Sequence, residues 1–386
     1  MNAVEAEEAR RIARGERWRL RDRMGKEGIT RLNRVAHCGK SAVDWYVPVL
    51  VKDGVASFGG VITCGSVSAC VVCSAKIRQE KAAEVEWRAK AWLADGGGLL
   101  FVTLTLPHTM ADDLGDLLDG VLASWRGMQQ DHQLRGVLAS LGYRGPLRSL
   151  EVTHGWNGWH PHLHLLLWFD RPLARGAAAL VESAFFASWE RNVRERLGRS
   201  PSRAHGVKSE RVGLLDGAAV AAYLVKVQDG FDDRAQHWSA AKEMTRGDLK
   251  KGRKHSRTPF EIALAAVEGD KGAAALWRRY EASMKGRRVM QWGQKLYGHL
   301  KAVQVPPEDD AGQPVVALEL SRPDWNALRT YNRRLRLLVE VERRGALGGL
   351  AVIRTLHRRV EFEHQRGRSR TPVDLAVFQQ RQVVSA

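Results

Sequence analysis

A chain of 386 residues with 44% hydrophobic content is long enough to bury a real core and to form two or three domains. Lys and Arg outnumber Asp and Glu by 61 to 43, a formal net charge of +18, which favours a polyanionic partner, nucleic acid first and an anionic membrane surface second. No apolar run approaches the roughly 18 residues that a spanning helix needs, which excludes a transmembrane helix.

The first 34 residues are highly charged and helix-like. They have neither the apolar core nor the cleavage pattern of an export signal, so a cytosolic protein is expected. Without export, cysteines are thiols or metal ligands before they are disulfides. Cys38 and the cluster Cys64-x5-Cys70-x2-Cys73 supply the four thiolates of a tetrahedral structural zinc, with His37 able to replace Cys38. This Cys-rich, zinc-like segment and the helix after it occupy residues 35–98. The helix, Ser74 to Asp95, stops at Gly96-Gly97-Gly98.

Leu99 to Leu106 is apolar and β-branched, closed by Pro107, and reads as a strand. Leu114, Leu117, Leu118, Val121, Leu122 and Trp125 follow one helix face. Leu147 to Thr153, the turn Gly155-Trp156-Asn157-Gly158-Trp159 and a second strand to Phe169 form a hairpin. A helix through Leu180, Val181, Ala184, Phe185 and Trp189, a short strand at Val207 to Val212 and a helix from Asp216 to Gln228 complete the order. Strand, helix, hairpin, helix, strand, helix predicts an α+β domain: an antiparallel sheet with helices packed on one face.

The second hairpin strand carries the chemistry. In Trp159-His160-Pro161-His162-Leu163-His164-Leu165-Leu166-Leu167, side chains two apart share a face, so His162 and His164 point the same way about 7 Å apart along the backbone. The turn folds Glu151 back beside them. Two imidazoles and a carboxylate leave coordination positions open, as a catalytic ion requires, and Mg²⁺ or Mn²⁺ suits the oxygen ligand. His160 and His154 compete with Glu151 for the third place.

Downstream, Tyr223 and Lys226 lie three apart on the last helix, among the small residues Ala218, Ala219, Ala221 and Ala222. A phenol can be a covalent nucleophile when a nearby cation favours the phenolate. From Lys242 to Arg257 basic residues predominate, and Lys250, Lys251, Arg253 and Lys254 suit DNA phosphates. Trp156 and Trp159 could stack unpaired bases beside the metal. A domain over residues 99–300 is followed by a linker over 301–320, with Pro306-Pro307 and Gly312. Residues 321–386 read as a helical accessory region. Its helix opens at Ser321-Arg322-Pro323-Asp324, carries an apolar stripe of Trp325, Leu328, Leu335, Leu338 and Val341, and ends before Gly345. The tail from Gln365 is expected to be mobile.

Three segments in order, Phe101-Val102-Thr103-Leu104-Thr105, Pro161-His162-Leu163-His164-Leu165-Leu166 and Tyr223-Leu224-Val225-Lys226, resemble the motifs of HUH-type rolling-circle replication initiators of bacterial plasmids. The cysteine segment is similar to the region upstream of the first motif in the actinobacterial plasmid type. Lys250 to Phe260 and Gly286 to Trp292 are similar in general style. The resemblance implies the RRM-like palm of an HUH endonuclease that nicks one strand at a double-strand origin. Tyr223 would become linked to the 5′ phosphate, and the 3′ hydroxyl would prime synthesis. His162, His164 and Glu151 would carry the Mg²⁺ or Mn²⁺, and Lys226 would help neutralise transition-state charge. Implied partners are origin DNA, single-stranded or hairpin at the nick, and the host helicase and polymerase. A homodimer is compatible with the family, a membrane is not implied, and the bacterial cytoplasm is the implied location.

One position departs from the pattern. Some single-tyrosine initiators place a glutamate one helical turn before the tyrosine to activate water at termination; here that position is Ala219, and Asp216 lies two turns away. Competing readings are a relaxase or transposase with the same metal site, a metal-free histidine-triad hydrolase using His160, His162 and His164, and a non-catalytic zinc-stabilised DNA-binding protein.

Overall fold

Residues 3–213, 256–301 and 313–366 are described by a computed structural model. The chain divides into two units, one of residues 19–32 and 65–305 and one of residues 1–18, 33–64 and 306–386.

The larger unit is built on a five-stranded antiparallel sheet. Its strands are β3 (Gly98–Thr105), β4 (Tyr143–Gly155), β5 (Gly158–Phe169), β6 (Val207–Val212) and β7 (Met290–Trp292), in the order β6-β3-β5-β4-β7. The predicted hairpin is present: β4 and β5 pair from Gly155 opposite Gly158 across the two-residue turn Trp156-Asn157, with Gly158 at φ 85°. Because the period of a strand is two, that turn fixes which residues oppose and which share a face. Glu151 falls opposite His162, and Ser149 opposite His164; on the other side Thr103 falls opposite His164 and Thr105 opposite His162.

Helices cover both faces of this sheet, where one was expected. On the face carrying His162 and His164, α3 (Val71–Ala94) and α9 (Gln294–Lys301) pack Val85, Ala89, Leu296 and Leu300 against Leu99, Phe101, Leu166 and Trp168. This cover ends where the strand residues turn polar. On the other face lie α4 (Leu114–Gln130) and α6 (Arg175–Leu197), above Val102, Leu104, Leu163, Leu165 and Leu167, all fully buried. A sheet buried on both faces explains why β5 reads as a near-continuous apolar run instead of a clean alternation. Asp113 caps α4 by accepting from the Gly115 N–H at 2.7 Å, and of the predicted stripe Leu114, Leu117, Leu118, Val121 and Trp125 are buried, with Leu122 partly exposed. Three further helices, α5 (His132–Ser140), α7 (Pro259–Val267) and α8 (Lys271–Ser283), complete this unit. The second of them opens on a capping box of Thr258 and Glu261.

Gly98 opens β3 with no room for a side chain, since a Cβ would lie 2.3 Å from the Arg171 carbonyl oxygen. Backbone cannot yield as a side chain can. Gly98→Ala is expected to cost about 1–3 kcal/mol, read as a lowered denaturation midpoint with an unchanged m-value.

The smaller unit has a three-stranded antiparallel sheet of order β2-β1-β8: β1 (Tyr46–Lys52), β2 (Val55–Phe58) and β8 (Val315–Ser321). Asp53 and Gly54, at φ 50° and 73°, make the tight turn between β1 and β2. Residues 315–320, the end of the segment expected to be a linker, are instead strand and with Ser321 pair with β1, from Tyr46 opposite Ser321 to Val51 opposite Val315. Against the sheet pack α10 (Arg322–Thr330) and α11 (Arg334–Gln365), with Trp325, Leu328, Leu337, Leu338 and Val341 in the core. The predicted helix start is borne out as a capping box of Ser321 and Asp324. Its single apolar stripe is in fact shared by two helices, because the chain reverses at Asn332 (φ 53°). Gly345, at φ 62° and ψ −154°, breaks α11 where the helix was expected to end, and helical structure resumes beyond it. Residues 3–18 of the helix α1 (Ala3–Lys26) also belong here, as does the four-residue α2 (Asn33–Ala36).

Candidate metal centre

The two central strands of the larger unit bring His162, His164 and Glu151 together: their ligand atoms all lie within 4.8 Å of one another. One carboxylate oxygen, Glu151 Oε2, is 3.0 Å from His162 Nε2 and 2.8 Å from His164 Nε2. The opposite nitrogen of each ring is held elsewhere. His162 Nδ1–H donates to the His160 carbonyl oxygen at 3.2 Å, and His164 Nδ1 is 3.1 Å from Thr103 Oγ1. With Nδ1 of His162 carrying the proton, the neutral ring presents its Nε2 lone pair to the carboxylate, the arrangement a divalent cation takes up. Phe101 stacks on His164 at 5.5 Å between ring centroids and fixes the ring plane. The donor set, two imidazole nitrogens and a carboxylate oxygen, fits Mg²⁺ or Mn²⁺ and equally other first-row divalent ions.

Charge balance supports the same reading. Burial alone would raise the Glu151 carboxyl, but His162 and His164 outweigh it and hold the group well below the ordinary carboxylate range. Burial pulls His162 down, and Glu151 more than reverses this, leaving its pKa raised. The cluster therefore keeps a carboxylate and favours one positive charge beside it, which a proton or a metal can provide.

Of the rivals for the third position, strand parity sets His154 apart and ring packing sets His160 apart. His154 is on the opposite face of β4, packed edge-on to Trp159 at 4.7 Å, and its backbone pairs with Arg257. His160 shares the face but stacks between His108 at 4.7 Å and His162 at 4.9 Å. Burial first, then repulsion from His162 and His108, push its pKa down to about 3, so it is a neutral wall of the site. Among the described residues of this unit, Glu151, His162 and His164 form the ligand-like group.

The group opens into a cavity of about 590 Å³ whose lining includes Thr103, Thr105, His108, His160, His205 and Lys208. Of these only His160 was weighed as a site residue from sequence. Thr103 and Thr105 were legible as the polar members of an otherwise apolar strand; His205 and Lys208 carry no motif and reach the site through the loop before β6 and β6 itself. Trp156, in the hairpin turn, is 72% exposed, whereas Trp159 is 3% exposed and stacks on Tyr280 at 6.2 Å. Trp159 is thus a core residue and not a platform for bases, because the strand direction turns it inward. Tyr223, Lys226, Ala219, Asp216, Lys250, Lys251, Arg253 and Lys254 lie outside the described residues.

The cysteines divide between the units. In the smaller one, Cys38 and Cys64 have sulfurs within 4.8 Å, and the Cys64 N–H donates to Cys38 Sγ at 3.4 Å. In the larger one, Cys70 caps α3 and Cys73 sits in its first turn, both buried, again with sulfurs within 4.8 Å. No disulfide forms among them. His37 turns its Nδ1 to the Asn33 carbonyl oxygen. No described helix is long and apolar enough to cross a membrane.

Against this geometry, the chain is 27% identical over 291 residues to "Protein rep" of Streptomyces lividans, a match covering 60% of this chain and 62% of that protein. It is 31% identical over 133 residues to the "Neomycin resistance protein" of Streptomyces cyanogenus, covering 28% of this chain and 30% of that protein. The chain thus spans less than two thirds of either relative. No protein-family profile and no solved structure matches it. The longest of these likenesses is to a Rep protein, and it extends over more than half of the chain.

Proposed function

We propose that the chain is a plasmid replication initiator that nicks one DNA strand by transesterification at the His162–His164–Glu151 centre. The single observation that carries this reading is that group itself: two imidazole nitrogens and a carboxylate oxygen converge, and both imidazoles line an open cavity, in a chain of net charge +18. Similarity to a Rep protein supplies the replication context.

A bound divalent ion would polarise the scissile phosphate and stabilise its charge. His162 and His164 would hold that ion, each oriented by its second ring nitrogen, and Glu151 would complete the set. Lys208 stands at the cavity wall to attract the phosphodiester. Tyr223 is the proposed nucleophile: its oxygen bonds to phosphorus as the bond from phosphorus to the 3′ oxygen breaks. The phenolic proton leaves, and one proton arrives at the departing 3′ oxygen. Lys226 would favour the phenolate. Zinc at Cys38, Cys64, Cys70 and Cys73 is proposed as structural, checked by near-unit zinc in purified protein. Lys250, Lys251, Arg253, Lys254 and Trp156 are proposed to engage DNA.

The deciding experiment mixes the chain with Mn²⁺ and 3′-labelled single-stranded oligonucleotides tiled across the DNA flanking its coding sequence. A protein-linked label is expected with at least one oligonucleotide, lost on chelation and reduced to background in Tyr223→Phe. Adduct at undiminished yield from Tyr223→Phe overturns the tyrosine's role, and absence of cleavage across the whole tiling overturns the function.

A further inference from the structure

The opposite face of the same sheet carries a second cavity, of about 560 Å³, between α4 and the edge strand β7. Its lining contains four guanidinium groups, those of Arg126, Arg148, Arg287 and Arg288, and no Asp or Glu among the described residues. Arg287 is committed, through Asp119 at 2.7 Å and the Ser283 carbonyl oxygen at 2.6 Å. Arg148 is different. It is 5% exposed, and its Nη2 donates to the Arg288 carbonyl oxygen at 3.0 Å and to Gln291 Oε1 at 3.2 Å. Its Nη1 is buried with no hydrogen-bond partner among the described residues. Arg126 and Arg288 are exposed at the mouth.

A buried cation without a carboxylate partner is expensive, and burial pushes the Arg148 guanidinium down to about 10. A side chain that cost so much and merely filled space would be replaced at a gain by an apolar one. Its planar fork is matched to a tetrahedral oxyanion, which would accept from Nη1 and supply the missing countercharge. Trp125 and Trp292 line the same cavity and offer aromatic surface to whatever carries the anion.

We propose that this cavity binds a phosphate group of a nucleotide or of a nucleic-acid strand, held from below by Arg148 and at the mouth by Arg126 and Arg288. The site is separate from the metal centre: Arg148 and Glu151 stand three residues apart on β4 and so face opposite sides of the sheet. A chain with both sites could grip a strand away from the place where it is cut.

The test uses the full chain in chelator, which silences any metal-dependent step. Binding of inorganic phosphate, thymidine 5′-monophosphate, thymidine and an oligothymidylate is measured by calorimetry and by tryptophan fluorescence. Thymidine 5′-monophosphate is expected to bind and thymidine to bind at least about tenfold more weakly. Competition by the oligonucleotide assigns the phosphate to a nucleic-acid strand; binding of the monophosphate without competition assigns it to a free nucleotide. Arg148→Gln should weaken binding about tenfold or more. Since that residue is buried, the doubly exposed Arg126→Gln/Arg288→Gln variant is measured beside it, and should weaken binding similarly with unchanged stability. Glu151→Gln should bind the phosphate as the parent does, so that failure of the metal reading leaves this result intact. Equal binding of thymidine and its monophosphate, or unchanged affinity in Arg126→Gln/Arg288→Gln, overturns the proposal.

Discussion

Glu151→Gln is expected to weaken Mn²⁺ binding by about a hundredfold or more and to remove metal-dependent strand cleavage, while the fold persists. Glutamine keeps the shape of the side chain and its contacts to His162 Nε2 and His164 Nε2, so packing is nearly unchanged; what goes is the charge that both imidazoles face. The same substitution should change the pH dependence of binding in a defined direction. In the parent chain burial lowers the His162 pKa and Glu151 raises it, with a net increase, so a proton competes with the metal: affinity rises with pH and falls away as pH drops through that raised value. Without the carboxylate, burial is opposed only in part, by the hydrogen bond to the His160 carbonyl oxygen, and the loss of residual affinity should move to lower pH. Titrations of Mn²⁺ between about pH 5 and 8, followed by calorimetry or by the electron resonance of free Mn²⁺, read both effects. Undiminished affinity in Glu151→Gln would show that the three side chains form only an ion-paired core cluster.

How far this centre was legible in the sequence follows from which interactions are local. The pairing of Glu151 with His162 depends only on a two-residue turn at Trp156-Asn157 and on the period of a strand, both visible in the chain, and the same parity excludes His154. The smaller sheet was not legible. β1 pairs with β8, a partner almost at the other end of the chain, and no local pattern encodes such a pairing. Its hairpin was legible but missed: Asp53-Gly54 between two apolar runs is a strong two-residue turn signal. Arg148 illustrates the remaining limit. In sequence it is one basic residue among 61, and only its burial opposite α4, with one nitrogen unsatisfied, distinguishes it from the solvated majority.

The stability of the smaller unit should depend heavily on Glu342. Its side chain is 2% exposed and accepts from Arg14 Nη1 at 2.5 Å, Arg14 Nη2 at 2.9 Å, Arg11 Nε at 3.1 Å and the Ala56 N–H at 2.8 Å. The carboxylate therefore ties α1 and the β2 edge to α11 through a single group. Glu342→Ala leaves the half-buried guanidinium of Arg14 with the Ala56 carbonyl oxygen at 3.2 Å but without its carboxylate, and a strand N–H without its acceptor, a change that costs about 3–5 kcal/mol when a buried pair is broken from one side. Acid should reproduce part of that loss. Burial raises the Glu342 carboxyl, but Arg14, the Ala56 N–H and Arg11 outweigh it and the folded-state pKa is lowered. A lowered value means that the stabilisation is complete above the unfolded carboxyl's ordinary range, near pH 4.3, and disappears as pH falls through the lower folded value. Hydrogen exchange of β1 and β2 amides in the full chain, compared with Glu342→Gln, isolates the contribution. Exchange in the parent should accelerate on acidification below about pH 4 relative to the variant, in which this position no longer titrates. Equal protection at neutral pH in parent and Glu342→Ala would mean that the sheet and the apolar core around Trp325 hold the unit together without the ionic tie.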